Sequence, residues 1–239
     1  TTIDASVHPF QVIEQLCRFV GSVIQNKQLL PASIADNLTE NLLAAHHHLK
    51  TSSTWQHLDQ AWQDQTRLLD EGARVLAADI DASALASLQD ALGQDITTCQ
   101  VDVSDYLAVE RMVNDATEAL GGVDVLFNNA GIGTPKALLD HDPAVDWDDV
   151  TNVNQRGVYH GILAAGRKFV ALGQPGVIVN TSSVYGTMAS ELTFTYNTSK
   201  AAVDMMTRCA ALEYAPHGIR VCAIAPGRVD TPLLRKYEA

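Results

Sequence analysis

From Arg74 onward, short apolar runs alternate with longer stretches whose apolar positions repeat at helical spacing. The apolar runs are RVLAAD, ITTCQVDV, VDVLFNNAG, GVIVNTSS and IRVCAIAPG. Strands that are apolar along most of their length and separated by helices are typical of a parallel sheet covered on both faces. The sequence therefore predicts an α/β fold, a doubly wound parallel sheet of the Rossmann type, for residues 67–239.

The N-terminal residues have a different pattern. In residues 1–66, apolar side chains recur at helical spacing in three stretches, which begin near Phe10, after Pro31 and at Trp55. A strand is an alternative only for RFVGSVI, Arg18–Ile24. We therefore predict a helical N-terminal segment that stands in place of a first strand, followed by the α/β core.

The charge balance and the cysteines restrict the partners and the compartment. Sixteen lysines and arginines oppose 28 aspartates and glutamates, which gives a formal net charge of −12. Such a charge repels phosphate backbones and anionic lipid, so neither nucleic acid nor a membrane is expected as a partner. The four cysteines form no CxxC pair, and the first residues lack the pattern of a signal peptide, so a cytoplasmic location is expected. The HHH triplet at His46–His48 predicts no metal site, because neighbouring helical side chains point in different directions.

Polar or small residues follow each predicted strand, where ligands bind in sheets of this kind. They are Asp79, Asp102, the NNAG stretch Asn128–Gly131, the TSS stretch Thr181–Ser183, and the PGRVDT stretch Pro226–Thr231. A carboxylate at Asp79 can accept both hydroxyls of an adenosine ribose and would repel a 2′-phosphate. Asp81 is interpreted as the N-cap of the next helix rather than as a ligand.

The strongest catalytic signal is YNTSK, Tyr196–Lys200. Positions i and i+4 share one face of a helix, and a nearby ammonium lowers the pKa of a phenol, which can then exchange a proton near neutral pH. Ser183 precedes Tyr196 by thirteen residues and could donate a hydrogen bond to a substrate oxygen. The alternative is an amphipathic helix on which Tyr196 and Lys200 are solvated. By itself, Asn154 inside a helix is more often a packing or local hydrogen-bonding residue than a catalytic one.

Together these stretches resemble the short-chain dehydrogenase/reductase family, from about Arg67 to the C-terminal residue. The matching stretches are DEGARVLAADID, VDVSD, GGVDVLFNNAG, WDDVTNVNQRGVY, VIVNTSS, YNTSK and HGIRVCAIAPGRVDT. The resemblance implies a tetrad in which Tyr196 is the acid/base and Lys200 lowers its pKa and holds the nicotinamide ribose. Ser183 would polarise the substrate oxygen, and Asn154 would hold the water of a proton relay.

The resemblance also implies a cofactor and partners. The cofactor is NAD, which Asp79 would select over NADP. Asp102 and Val103 would contact the adenine, Asn129, Ala130 and Gly131 would line the adenosine ribose, and Val229 and Thr231 would hold the carboxamide. The remaining implied contacts are Ile80, Pro226, Gly227, Tyr196 and Lys200. The implied partners are a small-molecule alcohol or ketone and further copies of the chain. A homo-oligomer, dimer or tetramer, would form through the long helices near residues 154–172 and 196–214.

One family feature is missing from the sequence. The TGxxxGxG turn that holds a pyrophosphate would fall near Thr54–Ala61, where the chain reads TWQHLDQA. The family also continues beyond PGRVDTP with a substrate lid and a last strand, whereas the sequence given ends at Ala239. Three origins are compatible with this: a helical segment fused to a truncated reductase, a divergent member whose N-terminal helices cap the sheet, or a chain joined across omitted segments.

Two functions follow as hypotheses. The first is an NAD(H)-dependent enzyme that interconverts a secondary alcohol and a ketone by hydride transfer, with Tyr196 as the acid/base. The alternative is a non-catalytic or cofactor-impaired scaffold that carries a helical interaction module. The phosphate-binding amides distinguish these two hypotheses, because only the enzyme needs to bind the cofactor tightly.

Overall fold

The structure is a computed structural model, and it describes Leu69 and residues 72–93, 96–133 and 135–227. Contacts along the chain separate Thr1–Glu71 from Gly72–Ala239. The helical segment predicted for residues 1–66, and the alternative strand within it, lie outside the described residues and stay predictions.

Strands and helices alternate in the second unit, as the sequence predicts. The strands are β1 (Val75–Asp79), β2 (Ile96–Gln100), β3 (Val125–Asn128), β4 (Gly176–Thr181) and β5 (Ile219–Ile224). The α-helices are α1 (Ala82–Leu92), α2 (Tyr106–Leu120), α3 (Gly157–Leu172) and α4 (Phe194–Tyr214). Two π-helical turns, Pro143–Asp149 and Asn152–Arg156, lead into α3, and 3₁₀ turns cover Leu138–Asp140, Val184–Gly186 and Ala215–His217.

Within the described residues, all strand pairs are parallel, and they form two groups. The first pairs β1 with β2, in register from Val75 opposite Ile96 to Asp79 opposite Gln100. The second has the order β3-β4-β5. Within the described residues no ladder joins β1 to β3. The α/β fold is confirmed, and the strand that the family resemblance would place before Arg67 falls in the part of the chain that is not described.

The core lies where α3 and α4 pack against the β3-β4-β5 group. Phe169 on α3, Ile178 on β4 and Val203 on α4 are fully buried in one apolar cluster. Burial of each such side chain contributes roughly 1.5–3 kcal/mol. This packing fixes the first turns of α4, which carry YNTSK, beside the end of β4.

Side-chain caps begin the two helices of the first strand group. The Asp81 carboxylate accepts hydrogen bonds from the main-chain N–H groups of Ser83 and Ala84, so its interpretation as an N-cap is confirmed. Asp105 caps α2 in the same way through Leu107, and Gly121 ends that helix in the left-handed conformation.

Two negative findings concern the described part of the chain. None of its helices is long and apolar enough to cross a membrane. No cluster of three or more His, Cys, Asp and Glu side chains there could hold a metal ion. His46–His48 lie outside this part.

Candidate active site

The structure brings Tyr196, Lys200 and Ser183 together at the end of β4. Ser183 is the second residue after that strand, and its side chain hydrogen-bonds Tyr196, in the first turn of α4. The Lys200 Nζ lies 5.7 Å from the centroid of the Tyr196 ring and donates a 2.7 Å hydrogen bond to the Thr181 carbonyl. Lys200 is only 3% exposed. A phenol, a hydroxyl and a buried ammonium therefore share one site.

Burial dominates the proton affinities at this site. It raises the pKa of Tyr196 above its ordinary value, although the hydrogen bond from Ser183 acts in the opposite direction. The sequence predicted a lowered pKa for Tyr196, and that prediction is wrong for this structure, because desolvation of the phenolate outweighs the hydrogen bond from Ser183. Burial also lowers the pKa of Lys200 to about 8, against a smaller raising effect of Asp204.

Asn154 is fully buried and orders the chain after the NNAG stretch. Its Oδ1 accepts from the N–H of Ile132 at 2.8 Å, and its Nδ2 donates to the carbonyl of the same residue at 2.8 Å. The Nδ2 also donates to Ser199 Oγ at 3.1 Å. Both the oxygen and the nitrogen of the Asn154 side chain therefore hydrogen-bond to protein groups. The water-holding role predicted for Asn154 stays a prediction.

Ser199 is a residue that sequence reasoning missed. Its buried hydroxyl donates to the Tyr196 carbonyl at 2.7 Å and accepts from Asn154, so it connects two members of the predicted tetrad. The signal was present in the sequence, since Ser199 immediately precedes Lys200 in YNTSK. Its partner could not be read there, because Asn154 is 45 residues away.

The NNAG stretch provides exposed main chain beside the amine. Asn129, Ala130 and Gly131 are exposed, and the Asn129 Oδ1 accepts from the Thr181 hydroxyl at 2.8 Å. A β-carbon placed on Gly131 would lie 3.5 Å from Lys200 Nζ. This arrangement fits a ribose hydroxyl held between an exposed backbone and an ammonium. The chemistry of Lys200 and the neighbouring exposed residues therefore fits a ribose of the implied cofactor, and the adenosine-ribose contact predicted for Asn129, Ala130 and Gly131 stays a prediction.

The predicted adenine-side residues follow β1 and β2. Asp79 and Ile80 are exposed, and Asp79 Oδ1 accepts from the N–H of Asp81 at 2.9 Å. Asp102, also exposed, accepts from the N–H and the hydroxyl of Ser104. Val103 packs against Gly157 at the start of α3.

The last predicted contacts follow β5. The Pro226 carbonyl accepts from the N–H of Val184 at 3.1 Å, beside Ser183. Gly227 is exposed. Val229 and Thr231 lie outside the described residues and stay predictions.

A parallel α/β fold with a Ser-Tyr-Lys site at the strand ends defines a Rossmann-type oxidoreductase class. The sequence model of the family described as "short chain dehydrogenase" matches residues 65–239. The chain belongs to the short-chain dehydrogenase/reductase family, whose members use a nicotinamide dinucleotide.

Named relatives and solved structures agree with this membership. The chain is 40% identical to 3beta-hydroxysteroid dehydrogenase 2 of Eggerthella lenta, over 69% of this chain and 65% of the relative. It is 37% identical to levodione reductase of Leifsonia aquatica, over 70% and 64%. The crystal structure of levodione reductase matches with a TM-score of 0.67 at 34% identity, covering 72% of this chain and 68% of that one. The crystal structure of a short-chain type dehydrogenase/reductase from Mycobacterium marinum matches with a TM-score of 0.68 at 32% identity, covering 71% of this chain and 68% of that one. The chain thus spans about two thirds of the length of these proteins.

Proposed function

We propose that the protein is an NAD(H)-dependent oxidoreductase that interconverts a secondary alcohol and a ketone. The observation that carries this proposal is the hydrogen bond between Ser183 and Tyr196 beside the buried Lys200 amine. Asp79, exposed at the end of β1, supports NAD rather than NADP, because its carboxylate would repel a 2′-phosphate. The relatives named for steroid alcohols and for levodione support the same reaction class.

The chain's own residues handle the proton and the developing charge. During alcohol oxidation, the Tyr196 phenolate takes the hydroxyl proton of the substrate, and in ketone reduction the neutral phenol returns it. Ser183 donates a hydrogen bond to the substrate oxygen, where negative charge develops. The Lys200 amine is proposed to bind the cofactor ribose and not to lower the pKa of Tyr196, because burial raises that pKa. NAD, when bound, would supply the hydride chemistry, with its nicotinamide ribose held by Lys200 and Tyr196.

A Tyr196→Phe variant tests the assignment directly. Removal of the phenol oxygen should lower kcat by about 10²–10⁴-fold, because the proton loses its acceptor. Assays with millimolar NAD and several secondary alcohols, together with thermal melting of both proteins, would measure this. An unchanged melting temperature is the control, and retained turnover in the folded variant would refute the mechanism.

Further copies of the chain are proposed as partners alongside the small-molecule substrate. Large apolar side chains are exposed on the two long helices, Tyr159 and Val170 on α3 and Met205 and Leu212 on α4. Burial against a second copy would remove this surface from water. A monomeric mass by light scattering at micromolar concentration would contradict the proposed oligomer.

A further inference from the structure

An apolar border runs along the segment between Ser183 and Tyr196. The two ends of this segment meet, because the Ser183 side chain hydrogen-bonds Tyr196. The segment therefore forms a loop that closes at the catalytic groups. Met188, Leu192 and Phe194 on this loop are 56%, 53% and 45% exposed. Leu192 has a φ of 61°, a left-handed conformation that is costly for a residue with a β-carbon.

A second segment, residues 135–149, packs against this loop. The N–H of Lys136 donates to the Leu192 carbonyl at 2.8 Å. The Phe194 ring lies 6.2 Å from the Trp147 ring and 6.4 Å from that of His141. The two segments therefore form one partly aromatic rim next to the catalytic groups.

The rim holds a single lysine, and that lysine is neutralised. Residues 135–149 and 184–195 together contain no arginine and one lysine, Lys136. Its Nζ lies 2.6 Å from Asp146 Oδ2, and Asp146 is only 4% exposed. The hydrogen bond from Lys136 lowers the pKa of Asp146, so this carboxylate stays ionised at neutral pH.

The remaining charges on the rim are negative. They are the carboxylates of Asp140, Asp142, Asp148, Asp149 and Glu191. These carboxylates give the rim a net negative charge, which disfavours the approach of a substrate carboxylate or phosphate, and the one lysine is already paired with Asp146. An apolar substrate body would instead lose water-exposed surface against the aromatic side chains.

From this rim we infer that the site takes an uncharged secondary alcohol or ketone with an apolar body and discriminates against substrates that carry a carboxylate or phosphate. This inference rests on the proposed oxidoreductase function. It names the substrate class of the same site.

A pair of substrates that differ only in charge tests the inference. The methyl ester of 4-hydroxycyclohexanecarboxylic acid and the free carboxylate have the same ring and hydroxyl. The full chain with millimolar NAD should show a kcat/KM at least about tenfold higher for the ester. Addition of salt should narrow the ratio, because screening weakens the repulsion of the anion.

Two variants that each remove one negative charge distinguish the effect of the Lys136–Asp146 pair from that of the overall negative charge of the rim. Asp146→Asn releases Lys136 and should reduce the preference for the ester by about fivefold or more. Asp148→Asn removes one negative charge from the same segment without touching Lys136, and should change the preference by less than about twofold. Equal effects of the two substitutions would overturn the role of the Lys136–Asp146 pair.

The outcomes distinguish this inference from the proposed function. Turnover of both substrates with equal kcat/KM, or with a preference for the carboxylate, overturns the substrate class and leaves the oxidoreductase assignment intact. Turnover of neither substrate, nor of cyclohexanol or 2-butanol, overturns the proposed function itself. The salt dependence in the unaltered chain keeps the test decisive if Asp146→Asn fails to fold.

Discussion

At the scale of single residues, Lys200 combines a catalytic position with an energetic cost. Its side chain is almost fully buried, and its Nζ donates a hydrogen bond to the Thr181 carbonyl rather than to a carboxylate. Burial of this cation is unfavourable and outweighs the attraction of Asp204, and that is why its pKa falls to about 8. A residue needed for stability alone would be better replaced by an apolar side chain, so the cost is consistent with a functional role.

This cost predicts a specific pH dependence of stability. The folded-state pKa of Lys200 lies below the unfolded value of 10.5, so the unfolded chain binds the proton more tightly between pH 8 and 10.5. The lysine's contribution to the free energy of unfolding should therefore rise across this window, by up to about 3 kcal/mol, and stay constant below it.

Urea denaturation between pH 7.5 and 10 would measure this contribution as the difference between the unaltered chain and Lys200→Met. Lys200→Arg is a second reference, and because neither replacement titrates in this range the two differences should rise in parallel. A difference that does not change with pH would show that the amine is solvated.

At the scale of elements, β3 and α3 meet at a close contact that leaves no room for a side chain. Gly161 on α3 packs against the Asn128 amide at the end of β3, and a β-carbon on the glycine would overlap that amide. Asn128 in turn donates to Asn180 Oδ1 at 2.8 Å, and Asn180 Nδ2 donates to Thr207 on α4 at 2.9 Å. This buried chain of hydrogen bonds connects the NNAG stretch to the helix that carries Tyr196.

A Gly161→Ala substitution should therefore reduce the free energy of unfolding by about 1–3 kcal/mol, although alanine is the better helix former. Urea unfolding of Gly161→Ala, Asn128→Ala and the double variant would show whether the two sites are coupled. The loss should be smaller in the Asn128→Ala background, where the overlapping amide is absent. Strictly additive losses of unfolding free energy would mean that α3 moves away from β3 in Gly161→Ala and that the contact with Asn128 does not restrain the helix.

At the scale of the whole molecule, the charge and the missing glycine turn work against tight cofactor binding. The net charge is −12, and residues 50–70 contain no glycine. Charge-assisted hydrogen bonds to a pyrophosphate contribute about 1.5–3 kcal/mol each, so the loss of two would weaken binding by orders of magnitude.

We therefore expect NADH to bind in the millimolar range, as calorimetric titration would show. Titration of Asp79→Ala is the control, because loss of the residual binding in that variant would place the adenosine ribose at the end of β1. Micromolar affinity in the unaltered chain would show that another group has replaced the glycine turn. No detectable binding, together with no turnover, would favour the alternative of a non-catalytic scaffold.

Much of the fold and part of the site could be predicted because their signals are local. The apolar runs that became β1 to β5 are read within single stretches, and the i, i+4 spacing of Tyr196 and Lys200 needs only the geometry of one helix. The hydrogen bond from Asn154 to Ser199 spans 45 residues and that from Asn128 to Asn180 spans 52. No pattern in the sequence indicates either bond. The predicted contacts Val229 and Thr231 stay predictions for the residues beyond Gly227.

The amino-acid sequence by itself determined the alternation of strands and helices, the cap at Asp81, and the side chains available at each strand end, because these depend on neighbours within a few positions. Only the tertiary structure decided the direction of the pKa shifts of Tyr196 and Lys200, the pairing of Lys136 with Asp146 and the apolar rim at Phe194. Those properties depend on burial and on contacts between distant segments, and burial in turn depends on how the whole chain packs.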